Sequence, residues 1–143
     1  MDGNGGGLIC DIQDLGTAEW GCQGTNVGAT GIIIGTGMQN TIDIELGCIT
    51  ANTAADKCTN SNAQGYTDWF LPSRDELVKI YQNKSIINAT ATVNGGIPFT
   101  GNDYWSSSEN DNNQAWRVWL IDGGINTQNK NVSSFAVRAI RAF

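Results

Sequence analysis

The sequence predicts a single α+β domain, with helices in the first half and an antiparallel sheet in the second. Three observations carry this. A helix-start signal at Ser73 opens a stretch with apolar residues at spacings of three and four. From residue 104 the apolar period falls to two, with a hairpin turn at Asp122-Gly123-Gly124. And 143 residues with five Trp, four Phe and three Tyr suffice for one core in one domain.

The elements follow in chain order. Met1–Gly7 is Gly-rich and reads as a flexible start, which leaves 8–143 as the domain. Leu8–Ile12 is an apolar run of strand length. Residues 16–37 are dense in Gly and Thr and read as irregular loop, with Trp20 as the one large anchor and Gly31–Gly37 flanking the apolar run Ile32–Ile34. Met38, Ile42 and Leu46 recur every four residues, which predicts a helix over Met38–Leu46 with those three on one face. Ala51–Cys58 reads as a second short helix, with Ala54, Ala55 and Cys58 on one side. Gly65–Pro72 is an aromatic extended run closed by proline. Ser73 as N-cap and Glu76 three residues on form a capping box. Leu77, Ile80 and Tyr81 follow, so Arg74–Asn83 is an amphipathic helix with Asp75 and Glu76 at its positive end. Residues 84–103 read as loop, with a turn at Asn94-Gly95-Gly96. Tyr104–Ser107 is a strand. Ala115–Ile121 alternates, with Trp116, Val118 and Leu120 toward the core and Arg117, Trp119 and Ile121 outward. Ile125–Gln128 pairs back, and Ser134–Phe143 is the last strand.

Composition excludes several functions. Charged residues are only 15 % of the chain, against about 25 % in ordinary soluble domains. Net charge is −6, and no basic patch offsets it, so nucleic acid and anionic membrane surfaces are poor partners. No apolar run approaches the roughly 18–20 residues of a membrane span. His is absent, which removes the commonest general base and zinc ligand and every Ser-His or Cys-His arrangement. Ser106-Ser107-Ser108-Glu109 has no base to activate a serine and reads as a polar strand end. An enzyme is not expected, nor is a cofactor. Asp103, Asp111, Asn112 and Asn113 supply oxygen ligands, but their spacing is not that of an EF-hand, and no metal site is expected.

The four cysteines, Cys10, Cys22, Cys48 and Cys58, contain no C-x-x-C. Three pairings are open. Cys10–Cys22 with Cys48–Cys58 closes short loops and is the expectation, with four buried thiols as the alternative. Met1–Gly7 shows no signal-peptide pattern, and the compartment stays open.

The C-terminal third concentrates polar side chains. Residues 102–131 hold seven asparagines, which suit turns but also form an adaptable hydrogen-bonding surface. Trp119 beside Arg117 on an outward strand face is the composition of a binding hot spot.

Several spaced motifs then carry a resemblance. They are Gly65-Tyr66-x-Asp68-Trp69-Phe70-Leu71-Pro72-Ser73-x-Asp75-Glu76-Leu77, Tyr104-Trp105-Ser106-Ser107-Ser108-Glu109, Ala115-Trp116, and Phe135–Phe143. With Trp20-Gly21 and Gly35–Thr41 upstream, the chain resembles the C-terminal domain family of collagen-like adhesins over roughly residues 8–143. The resemblance implies a C-type-lectin-like fold of two helices and a small antiparallel sheet with long loops. The region 104–143 is also similar to the diversified end of variable proteins of diversity-generating retroelements, where adenines of Asn codons are rewritten. That implies a ligand-binding variable protein with hypervariable residues at Asn110, Asn112, Asn113, Gln114, Arg117, Trp119, Asn126, Gln128, Asn129 and Asn131. Arg117 fits an altered Asn codon, since AAC to CGC changes only adenines. Trp119 does not, because its codon ends in G. The implied partner is a protein or glycan target, as in phage or virus receptor binding, and the implied setting is a virion surface, a cell surface or secretion. A fixed-specificity cell-surface adhesin or glycan-binding domain is the alternative. The sugar-lectin signatures Glu-Pro-Asn and Gln-Pro-Asp are absent, so calcium-mediated sugar binding does not carry over.

Overall fold

The computed structural model describes residues 6–143; Met1–Gly5 of the expected flexible start lie outside them. Gly7 is not loose. It exchanges two backbone hydrogen bonds of 3.1 Å with Phe143, so chain order begins before residue 8.

The order is β1 (Leu8–Cys10), β2 (Thr17–Ala18), α1 (Gly37–Gly47), α2 (Ala54–Thr59), a 3-10 turn at Ala63–Gly65, α3 (Arg74–Gln82), α4 (Lys84–Val93), β3 (Asp103–Glu109), β4 (Gln114–Trp119), β5 (Gly124–Asn129), β6 (Phe135–Ala136) and β7 (Ile140–Ala142). The domain is α+β, as the pattern order predicts. The three helices read from spacing, and the two helices and one small antiparallel sheet implied by the resemblance, are too few. Among the described residues there are four α-helices and two sheets, one of order β1-β7 and one of order β2-β6-β3-β4-β5. Tyr104 pairs with Ala136 in parallel, and every other named strand pairing is antiparallel.

The expected last strand, Ser134–Phe143, divides between the two sheets. Its middle is held by other partners: Val137 donates to Gly16 O, and Leu15 and Asp11 donate to Val137 O and Ala139 O. Arg138 is buried at the bend. Periodicity along one strand carries no record of a change of sheet.

The helix α3 forms as its start signal dictates. Ser73 Oγ accepts from Glu76 N, the Glu76 carboxylate accepts from Ser73 N at 2.7 Å, and Leu77 and Ile80 are buried. Glu76 also accepts from Gly35 N at 2.8 Å, so the same carboxylate fixes the loop before α1. Gly37 makes room for it: a Cβ there would sit 2.2 Å from Glu76 Oε2. Ala54, Ala55 and Cys58 of α2 are fully buried, as their spacing predicts.

Two readings need correction, and that of α1 is completed by the face it buries. Residues 84–93 are helix, not loop. Thr- and Ile-rich, without a side-chain N-cap, α4 has little local signal. Tertiary contact makes it: Ala91 is buried, Ile87 packs on the core, and Asn88 Oδ1 accepts from Phe99 N at 2.8 Å. In α1 the stripe Met38, Ile42 and Leu46 is exposed, and Gly37, Asn40, Thr41 and Ile44 face inward. The two inward polar residues are satisfied there. Asn40 Nδ2 donates to Gly31 O, and Thr41 Oγ1 donates to Gly37 O and accepts from Leu71 N. The second correction is the disulfide, which is Cys22–Cys48, with Cys10 and Cys58 free. Burial pushes the Cys10 thiol up to about 12 and Cys58 well above its ordinary value, so both behave as small apolar side chains.

Two clusters form the core. One gathers Trp20, Trp69, Leu71, Trp105 and Val137, and the other Phe70, Leu77, Tyr104, Val118, Leu120 and Ile140. The central strand β3 is buried from Tyr104 to Glu109, which is why its alternation does not show in the sequence. Trp116 is half-buried rather than core. The Arg74 guanidinium lies 5.1 Å over its ring.

Candidate functional site

The ten residues singled out by sequence all fall in β4, β5 and the loops at their ends, but they do not form one surface. Cross-strand partners in an antiparallel pair share a face. Arg117 pairs with Asn126, Ala115 with Gln128 and Trp119 with Gly124. Arg117, Trp119, Asn126 and Gln128 therefore share one face of the hairpin. Gln114 pairs with Asn129 and lies on the other face, with Trp116 and Val118. Asn110, Asn112 and Asn113 occupy the β3–β4 loop, and Asn131 follows β5.

On the first face, Trp119 is 37 % exposed, and its indole N–H donates to Gly101 O at 3.0 Å. The ring is held in one orientation. Arg117 is not a free outward side chain, which corrects its reading as one. It forms an ion pair with Asp103 and lies 5.8 Å over the Phe135 ring. Phe135 in turn packs on Trp105 at 4.8 Å.

The β3–β4 loop is shaped by Asp111. Its Oδ1 accepts from Asn113 N and Gln114 N, both at 2.8 Å. Those two backbone bonds hold the Asp111 carboxyl below its ordinary 3.8. A depressed folded-state value means that the contribution is complete above 3.8 and is lost as pH falls through the folded value. In an acid titration the amide resonances of Asn113 and Gln114 should hold still down to about pH 4 and move together below it. Movement centred near pH 6 would contradict this origin of the loop's shape. The loop also docks on the segment after β2. Gly24 N donates to Asn112 O, and Gln23 Nε2 donates to Asn113 Oδ1 at 3.2 Å.

Beneath the loop lies a feature that the sequence does not mark. Lys130 and Glu109 are buried and paired at 2.8 Å. Lys130 Nζ also donates to Thr25 O at 2.7 Å and lies 4.7 Å over the Trp20 ring. Glu109 accepts from Val27 N and Gly28 N. Lys130 O accepts from Trp20 N and Gly21 N, and Lys130 N donates to Asn113 O. One buried pair thus ties residues 20–28, the end of β3 and the end of β5 together. A lone Lys among asparagines reads as a solvated charge; only the fold encloses it.

The amides of Asn112, Asn126, Asn129 and Asn131 make no side-chain hydrogen bond among the described residues, and all four are exposed. Gln114 accepts from Thr127 Oγ1, Asn110 donates to Asp111, and Gln128 Oε1 accepts from Asn129 N.

Asp103 and Asp111 stand at opposite ends of β3, so the oxygen donors considered for calcium do not converge. Among the described residues no group of three or more His, Cys, Asp or Glu side chains is placed to hold a metal ion. Ser106, Ser107 and Ser108 are fully buried. Ser106 Oγ donates to Trp116 O at 2.7 Å, Ser108 Oγ donates to Gly31 O at 2.7 Å, and Ser107 Oγ accepts from Asn40 Nδ2 at 3.3 Å. They stitch β3 to its neighbours. Two clefts of about 220 and 170 Å³ lie between β1, α3 and α4 and meet at Cys10 and Ile87. Both are below the roughly 300 Å³ of an ordinary small-molecule site, and neither is lined by any of the ten residues. Among the described residues no helix is long and apolar enough to cross a membrane.

Residues 17–141 match the family model described as the Lcl C-terminal domain. No curated protein matches the sequence.

Proposed function

The chain belongs to the Lcl C-terminal domain family, and from that membership we propose a ligand-binding, adhesin-like module of C-type-lectin-like fold. Its C-terminal surface binds a protein or glycan target without turnover. The observation that carries this is a contrast within one hairpin. The side chains of Asn112, Asn126, Asn129 and Asn131 are exposed and make no hydrogen bond among the described residues, while the neighbouring Glu109, Ala115, Val118 and Lys130 are buried. Exposed positions without structural partners change at a cost within about 0.5 kcal/mol, so partner choice separates from folding.

The finer reading is a variable protein of a diversity-generating retroelement, acting at a virion or cell surface. The density of Asn codons in 102–131 and the free amides of these four residues support it. Charge argues against nucleic acid and anionic lipid as partners: five of the eight basic residues are already ion-paired within the domain.

The test has two arms. The gene should have a near-copy template that differs from it only at template adenines, with a reverse transcriptase gene close by. Replacing Asn112, Asn126, Asn129 and Asn131 together by Ser should lower Tm by only a few degrees. A fall beyond about 10 °C would show that these amides hold the fold. The held positions of Trp119 and Arg117 favour a second reading, an adhesin of fixed specificity; a gene without a template copy would support it.

A further inference from the structure

We propose that the outer face of α1 docks a cationic amphipathic helix of a partner protein. The face lies apart from the β4–β5 surface, since α1 packs on β3 and α2. Its residues are Met38, Ile42 and Leu46, 42, 45 and 84 % exposed, and the segments that flank the helix carry three further exposed isoleucines, Ile33, Ile34 and Ile49. Within α1 the stripe Met38–Ile42–Leu46 follows the i, i+4, i+8 ridge, which is the ridge that packs into the groove of another helix. Ordinary surfaces scatter single apolar residues, whereas a contiguous row of this kind marks an interaction site.

Charge selects the occupant. Asp43 and Glu45 flank the stripe on its two sides, and α1 contains no basic residue. The first 56 residues of the chain contain neither Lys nor Arg. Burial, and then the neighbouring Asp56 carboxylate, raise the Glu45 carboxyl above its ordinary 4.5. Neither Asp43 nor Glu45 forms an ion pair among the described residues, so the carboxylates beside the stripe are open to a cationic partner. A second copy of the chain would bring Asp43 and Glu45 against their own kind, and an anionic bilayer would add more negative charge. A helix with apolar residues on one face and Lys or Arg along its borders supplies both missing elements. An extended peptide is disfavoured, because a helix offers no open backbone edge for a strand to join.

The probe is a synthetic leucine/lysine helix in amphipathic register, with leucine/glutamate and leucine/glutamine versions, titrated into the isotopically labelled full chain. The lysine peptide should shift amides within residues 33–49, the glutamine peptide should bind more weakly, and the glutamate peptide should leave them still. Ile42→Ser with Leu46→Ser should raise the peptide Kd at least about tenfold with Tm unchanged, since both side chains are exposed. Glu45→Gln should weaken binding and flatten its salt dependence. Failure of the lysine peptide to shift residues 33–49, or equal binding of the glutamate peptide, overturns the proposal. So does undiminished binding by the double variant. A chain that dimerises until Ile42 and Leu46 are replaced would overturn it in favour of a second copy, and selective binding of phosphatidylserine vesicles in favour of a membrane.

Discussion

Lys130→Ala should cost about 3–5 kcal/mol, the penalty for leaving one member of a buried ion pair alone. Glu109 would remain buried with only the Val27 and Gly28 amides to hold it, and Thr25 O would lose its donor. In a domain stable by about 5–15 kcal/mol, that is a Tm fall on the order of 10–20 °C. The double variant Lys130→Met with Glu109→Gln should recover much of it, because it removes the charge together with its partner. Thermal denaturation of the three chains checks this. A single variant within about 1 kcal/mol of the parent would show that the pair is solvated and that the loop above it rests on something else. The consequence reaches function. The pair anchors Asn113 and the segment carrying Gln23 and Gly24, so its loss should scatter the β3–β4 loop resonances even where the core persists.

Arg138→Lys should be nearly as damaging as Arg138→Ala, although charge is kept. The guanidinium of Arg138 donates to Asp14 at 2.6 Å, to Asp11 O at 2.9 Å and to Ile97 O at 3.1 Å, and lies 4.3 Å over the Phe99 ring. An ammonium on a flexible stem cannot reach three acceptors set by a planar fork. The alanine variant should lose about 3–5 kcal/mol, and the lysine variant at least half of that. Denaturant titration gives both values. A lysine variant at parental stability would reduce Arg138 to a point charge and undo the account of the bend between β6 and β7.

Local rules were legible where one element satisfies itself. The capping box of Ser73 and Glu76, the buried side of α2 and the hairpin turn at Gly123 each follow from a few neighbouring residues. Gly123 takes φ 79°, and a Cβ there would meet the Tyr81 ring at 2.5 Å. The strand β4 was legible from alternation and β3 from its aromatic content. The surface candidates were legible as a region, since asparagines cluster, but not as a geometry. Register alone separates Arg117, Trp119, Asn126 and Gln128 from Gln114 and Asn129, because a one-residue step turns a side chain to the other face.

The sequence by itself determined an α+β domain, an acidic histidine-free chemistry and an amide-rich end, since each is a property of composition or of neighbours along the chain. Tertiary structure alone decided the face that α1 buries, the helical state of residues 84–93, the Cys22–Cys48 pairing and the enclosure of Lys130 and Arg138. Their free energies come from groups far apart in sequence. Asn40 meets Gly31 and Ser107, Lys130 meets Thr25 and Glu109, and Arg138 meets Asp11 and Asp14. Polarity marks such residues for water, and only a folded chain supplies the partners that make burial the lower free energy.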